Sequence, residues 1–173
     1  MRRTLLVAGM TAAALLLATG PALAVAPVRF ERTIHNPVQD QGQACGFPVL
    51  WDINLTVRGT NFFDADGNLV RQQAHIREDN TITNLATGLT LREGPDSFMQ
   101  TIHYNPDGTV RQIVATGLAA NVRGDERLKD VGRVVWLPRT NEIVFSAGRH
   151  PVREAFEFGN FQTSLRAFCD VLS

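Results

Sequence analysis

The chain has 173 residues, 44% of them hydrophobic and 20% charged, with 17 basic and 17 acidic side chains. This is the composition of a globular protein and not of a disordered or collagen-like chain. Without its first 24 residues the chain keeps 15 basic against 17 acidic residues, a net charge of −2 (15 − 17). That balance gives no general attraction for nucleic acid or anionic lipid, so we expect neither as a partner.

Residues 1–24 have the three parts of a secretory signal peptide. Arg2 and Arg3 are followed by an uncharged apolar run from Leu5 to Leu17 and by the small-x-small site Ala22-Leu23-Ala24. The apolar run is shorter than the about 20 residues that span a bilayer. We therefore predict cleavage after Ala24, secretion of the mature chain, and no membrane insertion afterwards.

The chain contains two cysteines, Cys45 and Cys169. An even number of cysteines in an exported protein usually forms disulfides, and two residues allow one pairing. We predict a Cys45–Cys169 disulfide. It closes a loop of about 124 residues, which is worth roughly 4–5 kcal/mol in the chain-entropy description.

After the signal peptide we expect an extended N-terminal segment, residues 25–44, and then a single domain, residues 45–173. Within the segment, Val28 to Ile34 is predicted as a short edge strand. The clearest strand of the domain is Val49 to Arg58, where apolar residues alternate strictly with polar ones. Such alternation indicates one buried and one solvated face, as in an antiparallel sheet.

Two similar turns organise the middle of the chain. Phe63 to Leu69 and Tyr104 to Val110 each place Asp-Gly between an aromatic residue and an apolar one, and Arg-Gln follows in both. Asp-Gly between alternating segments is a strong hairpin signal. We predict two hairpins here and a third between Val131 to Leu137 and Glu142 to Ala147.

The remaining segments are predicted from breakers and periodicity. Further short strands are expected at 60–63, 70–77, 80–83, 89–91, 98–104, 110–115 and 118–122, with a bulge or bend at Gly117. Glu93-Gly94-Pro95-Asp96 is predicted as a turn and Gly124 to Asp130 as an exposed loop. Residues 148–160 are expected to be irregular. Leu165 to Leu172 has helical spacing, with Thr163 or Ser164 as N-cap.

The sum is an all-β protein of eight to ten short strands with one short C-terminal helix. No long helical pattern separates the strands, so a parallel α/β fold is disfavoured. We predict one antiparallel meander that closes into a small β-barrel, because closure removes the exposed edges. A two-sheet β-sandwich is the alternative.

No catalytic, metal-binding or cofactor-binding motif is found in the sequence. The four histidines have no metal-ligand spacing, and Asp64-Ala65-Asp66-Gly67 lacks the glutamate that closes a calcium loop. The sequence has no nucleophile elbow, phosphate loop or dinucleotide fingerprint. We therefore predict no metal and no cofactor, and we leave the catalytic residues unknown. His103, Tyr104 and Trp51 are the candidates for lining a pocket.

Three short motifs carry a resemblance: Cys-Gly-Phe-Pro at 45–48, Thr-Asn-Leu-Ala-Thr-Gly at 83–88 and Phe-Cys-Asp-Val-Leu-Ser at 168–173. With them the exported chain resembles a set of small secreted proteins of GC-rich Gram-positive bacteria. The resemblance implies export and a disulfide, and it implies no activity. In general shape the expected meander is similar to lipocalin-like and allene-oxide-cyclase-like barrels.

Three functions are consistent with these features. The leading hypothesis is a secreted, non-enzymatic barrel that binds a small apolar or amphipathic ligand or a partner protein. The second is an enzyme of the cyclase or isomerase type that uses polar residues in the barrel cavity. The third is an inhibitor or a cell-envelope interaction module. The sequence leaves the ligand, the partner and the oligomeric state open.

Overall fold

The computed structural model describes residues 25–122, 128–150 and 168–173. These residues contain seven strands and one short C-terminal helix, α1, over residues 168–172. The strands are β1 (Val28–Asp40), β2 (Val49–Phe63), β3 (Leu69–Asn84), β4 (Thr90–Tyr104), β5 (Val110–Val122), β6 (Leu128–Leu137) and β7 (Glu142–Arg149).

All seven strands belong to one sheet, in which each strand pairs antiparallel with the next one along the chain. The predicted all-β class, the antiparallel meander and the C-terminal helix are therefore confirmed. β1 and β7 are the edges, so the described strands form an open sheet and not the closed barrel that was predicted. A sandwich needs two sheets, whereas the described residues form a single sheet.

The described strands are fewer and longer than the sequence predicts. Segments interpreted as breaks, among them Glu93–Asp96 and Gly117, lie inside continuous strands. Close to both places the pairing register shifts by one residue, between Glu78 and Asn80 on β3 and between Leu118 and Ala120 on β5. A β-bulge bends a strand without ending it. The predicted turn at 93–96 is therefore wrong, whereas a bulge near Gly117 is confirmed.

The sheet has two faces because side chains alternate along each strand. We define the inner face by the paired row Val57, Ile76 and Phe98 and its alternate neighbours, and the outer face by the next row, Arg58, His75 and Met99. From Gln73 to Arg77 on β3 the inner positions are buried and the outer positions are exposed. Along β2, for which the alternation was predicted, the residues between Val49 and Arg58 are all partly buried, so a buried and a solvated face are not distinguished there.

The most completely buried part of the inner face lies beneath α1. Its fully buried members are Val49, Ile82, Ala120, Val122, Phe168 and Leu172. Phe168 is only 2% exposed, and its ring meets the ring of Trp51 edge-on with 5.2 Å between centroids. The short helix therefore closes one end of the core with two large apolar side chains.

A disulfide joins Cys45, in the segment before β2, to Cys169 in α1, with an S–S distance of 1.97 Å. The predicted pairing is confirmed. Disulfides are typical of oxidising compartments, which agrees with the expected location outside the cell. Among the described residues, no helix is long and apolar enough to span a membrane.

Both Asp-Gly segments form the predicted hairpin turns. The backbone N–H of Gly67 donates to the carbonyl of Asp64, and the φ of Gly67 is 84°. The second turn repeats this bond between Gly108 and Asn105, and the φ of Gly108 is 80°. Glycine adopts this left-handed conformation without the steric cost that a side chain would bring.

Other expectations are corrected or fall outside the described residues. β1 continues to Asp40, well past the predicted edge strand over residues 28–34, because it pairs with β2 along its whole length. The predicted exposed loop at 124–130 is wrong for residues 128–130, which begin β6 and include the buried Asp130. The signal peptide, residues 123–127 and 151–167, and the predicted N-cap lie outside the described residues.

Candidate functional site

β4 carries two acidic residues, Glu93 and Asp96, whose side chains meet although they are three positions apart. In a regular strand such residues face opposite sides. Here Glu93 pairs with Asn80 and Asp96 with Glu78, so two steps along β3 match three along β4. Gly94 lies in this bulge with a φ of 109°, and a Cβ atom there would lie 2.8 Å from the carbonyl oxygen of Glu78. Only glycine fits this position.

The bulge assembles what we call the acid cluster: Glu78, Glu93 and Asp96. One carboxylate oxygen of each residue lies within 4.8 Å of one from each of the others. Glu93 is 1% exposed and Asp96 is 4% exposed, whereas Glu78 is partly exposed and forms the side nearest to solvent. Among the described residues, no basic side chain forms an ion pair with any of the three.

Asn80 orients the cluster from β3. Its Nδ2 donates to Oε2 of Glu93 at 2.5 Å, and its Oδ1 accepts the backbone N–H of Asn54 at 2.8 Å. The other carboxylate oxygen of Glu93 and both carboxylate oxygens of Asp96 are buried without a hydrogen-bond partner outside the cluster in the described structure. Leaving a buried polar atom unpaired costs about 1–3 kcal/mol, and more for a charged group.

The pKa values of the cluster follow from this environment. Burial, followed by the charge of Glu93, raises the pKa of Glu78 to about 8, against a smaller opposite effect of its hydrogen bond with Asn80. Burial also raises the pKa of Asp96 to about 9, with further contributions from Glu93 and Glu78. Two ionised carboxylates cannot hydrogen-bond to each other because neither has a donor. When Asp96 is protonated, its O–H donates to the facing carboxylate of Glu93. Without another cation the cluster therefore holds protons at neutral pH.

A second buried polar pair lies on the same sheet, two strands beyond β4. Nδ1 of His150 lies 2.7 Å from Oδ1 of Asp130, and the two side chains are 6% and 1% exposed. Nε2 of His150 lies 3.1 Å from the carbonyl oxygen of Ala147. Each ring nitrogen therefore lies within hydrogen-bond distance of an oxygen atom. This arrangement fixes the end of β7 to β6.

The outer face carries a depression of about 560 Å³ over the first four strands. Two paired rows form it, Glu31–Arg58–His75–Met99 and Arg29–Thr60–Gln73. Phe30 and Gly59, between the rows on β1 and β2, also line it. We call this depression the outer groove. The depression is shallow and open to solvent, although its volume lies within the range of about 300–1,000 Å³ found for small-molecule sites.

The outer groove lies in a basic part of the surface. Arg29 and Arg58 line it, and Arg71 and Arg77 lie on β3 at either side of its Gln73 and His75. The acidic residue of its lining is Glu31, whose carboxylate is 3.0 Å from the guanidinium of Arg58. Next to the groove, the guanidinium of Arg71 lies 4.0 Å from the ring centre of Phe62. The surface thus combines positive charge with apolar area.

The three residues predicted to line a pocket do not come together. Trp51 lies in the core beneath α1, beside Phe168. His103 and Tyr104 end β4 at the opposite end of the sheet, and as consecutive strand residues they face opposite sides. The 13 steps from Leu91, in the row of Trp51, to Tyr104 correspond to roughly 40 Å of strand. Burial and the charges of Arg111 and Arg71 lower the pKa of His103.

Sequence reasoning missed both the acid cluster and the outer groove. A signal for the cluster was present in Glu93-Gly94-Pro95-Asp96, since a glycine inside a strand pattern indicates a bulge as well as a turn. No such local signal exists for the groove, because its lining comes from four strands whose register becomes known only with the sheet.

Comparison with known proteins gives no relative: no protein family, no curated protein and no solved structure matches the chain.

Proposed function

We propose that the protein is a secreted, non-enzymatic binding module whose outer groove takes a small amphipathic anion. The observation that carries the proposal is the groove itself, a depression of about 560 Å³ with two arginines, a histidine and a methionine in its lining. The expected signal peptide and the disulfide support a place of action outside the cell.

The chemistry of the lining supports an anionic ligand. The guanidinium group presents donors that match a carboxylate or phosphate, and it is less strongly hydrated than an ammonium group. Arg58 already forms an ion pair with Glu31, while Arg29 forms no ion pair among the described residues. Arg29 is therefore the group that first contacts the anion, and Arg58 supports it.

The same lining supports an apolar portion in the ligand. Met99 lies at one end of the groove, 37% exposed, and a thioether side chain adapts to ligands of different shape. The aliphatic parts of the arginine side chains add apolar area beneath the charged groups. The ligand therefore places its acidic group near β1 and its apolar body toward β4.

Isothermal titration calorimetry with dodecanoate and dodecyl phosphate tests this function on the purified mature protein. We expect binding that weakens at high salt and is lost in Arg29→Ala and Met99→Ser. Arg92→Ala is the matched control, because Arg92 is an exposed arginine that pairs with Asp79 outside the groove. Absence of binding, or equal loss in the control, would contradict the proposal. So would binding only to long acidic polymers.

An enzyme of the cyclase or isomerase type is the alternative, and the acid cluster is the observation that favours it. Glu78 and Asp96 hold protons at neutral pH, which is the state that a general acid needs. Glu93 and Asp96 are nevertheless 1% and 4% exposed, so their carboxyl groups are not accessible to a substrate in this structure. Burial thus supports binding over catalysis.

Closure of the sheet into a barrel is a separate expectation, since the outer groove does not depend on it.

A further inference from the structure

We propose that the acid cluster is a binding site for one divalent cation with a preference for oxygen ligands, and that calcium is the ion it takes. The site lies on the inner face, whereas the outer groove lies on the other side of the sheet. The inference therefore goes beyond the proposed function and does not depend on it.

The spacing of the carboxylates fits a single ion. Calcium binds oxygen at about 2.3–2.6 Å, so two ligands on opposite sides of one ion are about 4.6–5.2 Å apart and neighbouring ligands are closer. One carboxylate oxygen from each of Glu78, Glu93 and Asp96 lies within 4.8 Å of the other two. One ion can therefore contact all three without a change of backbone.

The unpaired oxygens inside the cluster are the second observation. Asp96 is 4% exposed, its side chain meets Glu93 and Glu78, and neither of its oxygens accepts a hydrogen bond from an amide, hydroxyl or basic group in the described structure. Oε1 of Glu93 is buried and likewise has no partner outside the cluster among the described residues. Buried carboxylates are otherwise paired or coordinate a metal. A divalent ion would neutralise two of the three negative charges and occupy these oxygens together.

The protein holds the ligands in place before the ion binds. Asn80 donates to Oε2 of Glu93, which leaves Oε1 for the ion. The bulge at Gly94 turns Glu93 and Asp96 to one side of β4. Glu78 is the most exposed of the three, so it gives the ion a route from solvent. A site prepared in this way loses little side-chain entropy on binding.

The choice of ion follows from the donors and from burial. Zinc prefers nitrogen and sulfur ligands together with oxygen, and the cluster offers carboxylates alone. Magnesium usually keeps several water molecules in a strict octahedron, for which a cluster this buried offers little space. Calcium accepts an irregular set of oxygens, including bidentate carboxylates. The external medium is also where calcium sites of about 10⁻⁴–10⁻³ M affinity are found.

Thermal unfolding and calorimetry of the mature protein test the site at constant, slightly alkaline pH. After removal of bound metal with EDTA, we expect millimolar calcium chloride to raise the Tm by several degrees. A titration with calcium should show one ion per chain, and magnesium chloride should give a smaller shift. The absence of a calcium-dependent shift, or an equal response to magnesium, would overturn the proposal.

Charge-neutral variants separate ion binding from a structural role. Asp96→Asn and Glu93→Gln keep the shape of the side chains, so we expect each to raise the Tm in EDTA and to lose the calcium shift. Glu78→Gln, at the exposed side, should weaken calcium binding about tenfold or more. Asp79→Asn is the matched control, because Asp79 is adjacent in sequence but pairs with Arg92. A calcium shift that persists in both buried variants, or disappears in the control, would contradict the assignment.

Discussion

The inner and outer faces of the sheet differ in the charged residues that they carry. The inner face collects carboxylates, at Glu78, Glu93 and Asp96, where solvent scarcely reaches them. The outer face displays arginines, such as Arg29 and Arg58, in exposed rows. Buried carboxyl groups and exposed arginines therefore lie on opposite sides of this part of the sheet. We expect the inner charges to affect stability and the outer charges to affect binding.

The largest difference between the faces is expected for aromatic residues. Phe168 lies in the inner core at 2% exposure and Phe145 on β7 is 48% exposed. Phe168→Ala should lower the free energy of unfolding by about 3–5 kcal/mol, since it removes a buried ring and leaves a cavity. Phe145→Ala should cost less than about 1 kcal/mol. Urea denaturation followed by circular dichroism gives both values. Similar losses in the two variants would mean that Phe145 is covered in solution.

A smaller effect is expected from the bulge that builds the acid cluster. Gly94→Ala places a Cβ atom against the carbonyl of Glu78 at a φ of 109°, so it should cost about 2–3 kcal/mol. Gly108→Ala is the control: its φ is also positive, but a Cβ atom there has no neighbour within 4 Å. It should cost about 1 kcal/mol. The same denaturation experiment compares the two variants. Equal losses of unfolding free energy would show that the backbone moves away from the new Cβ atom without loss of stability.

The pH dependence of stability distinguishes the buried acids from the exposed ones. Glu78 and Asp96 have folded-state pKa values of about 8 and about 9, far above the ordinary 4.5 and 3.8. From about pH 5 to 9 the folded chain keeps protons that the unfolded chain has lost, so stability must fall as the pH rises. In EDTA we expect a fall of several kcal/mol over this window, since each acid contributes roughly 1.4 kcal/mol per pH unit while it is protonated only in the folded chain.

Two variants show which acid is responsible for this slope. Glu78→Gln should reduce the slope without removing it, because Asp96 stays protonated in the folded chain through burial and the neighbouring Glu93. Asp64→Asn should leave it unchanged, because hydrogen bonds from Asn68 lower the pKa of Asp64 and its titration lies in more acidic solution. Stability that stays constant between pH 5 and 9 in EDTA would show that the cluster is solvated.

The smallest stability effect is expected on the outer face. Arg58 and Glu31 are both well exposed, and exposed ion pairs contribute about 0–1 kcal/mol. Arg58→Ala should therefore change the free energy of unfolding by less than about 0.5 kcal/mol while weakening the binding of dodecanoate. A large loss of stability in this variant would mean that the outer face is packed against another part of the protein.

Local chemistry made much of the fold predictable. The Asp-Gly turns and the pairing of Cys45 with Cys169 each depend on the chemistry of the residues themselves. The bulges were harder, because strict alternation assumes one residue per step on both strands. At Glu93–Asp96 the extra residue reverses which side chains share a face. Pattern reasoning therefore predicted a turn where the structure continues the strand.

The site was less predictable than the fold because it depends on strand register. Glu31 and Arg58 are 27 residues apart and meet only because β1 pairs with β2 in one particular alignment. His103, chosen from its neighbours in sequence, lies away from both the acid cluster and the outer groove. Burial of Asp130 likewise results from tertiary packing. The charged sequence over residues 124–130 gives no sign that Asp130 is buried.

The bond between Cys45 and Cys169 makes nearly the whole sheet a covalent ring, with a sequence separation of 124. A protease that cuts once inside this ring opens it without releasing any fragment. The two pieces stay joined through sulfur, and the paired strands hold them in register. In an environment rich in extracellular proteases, a nicked molecule would therefore keep its mass and its shape until a reductant reached it.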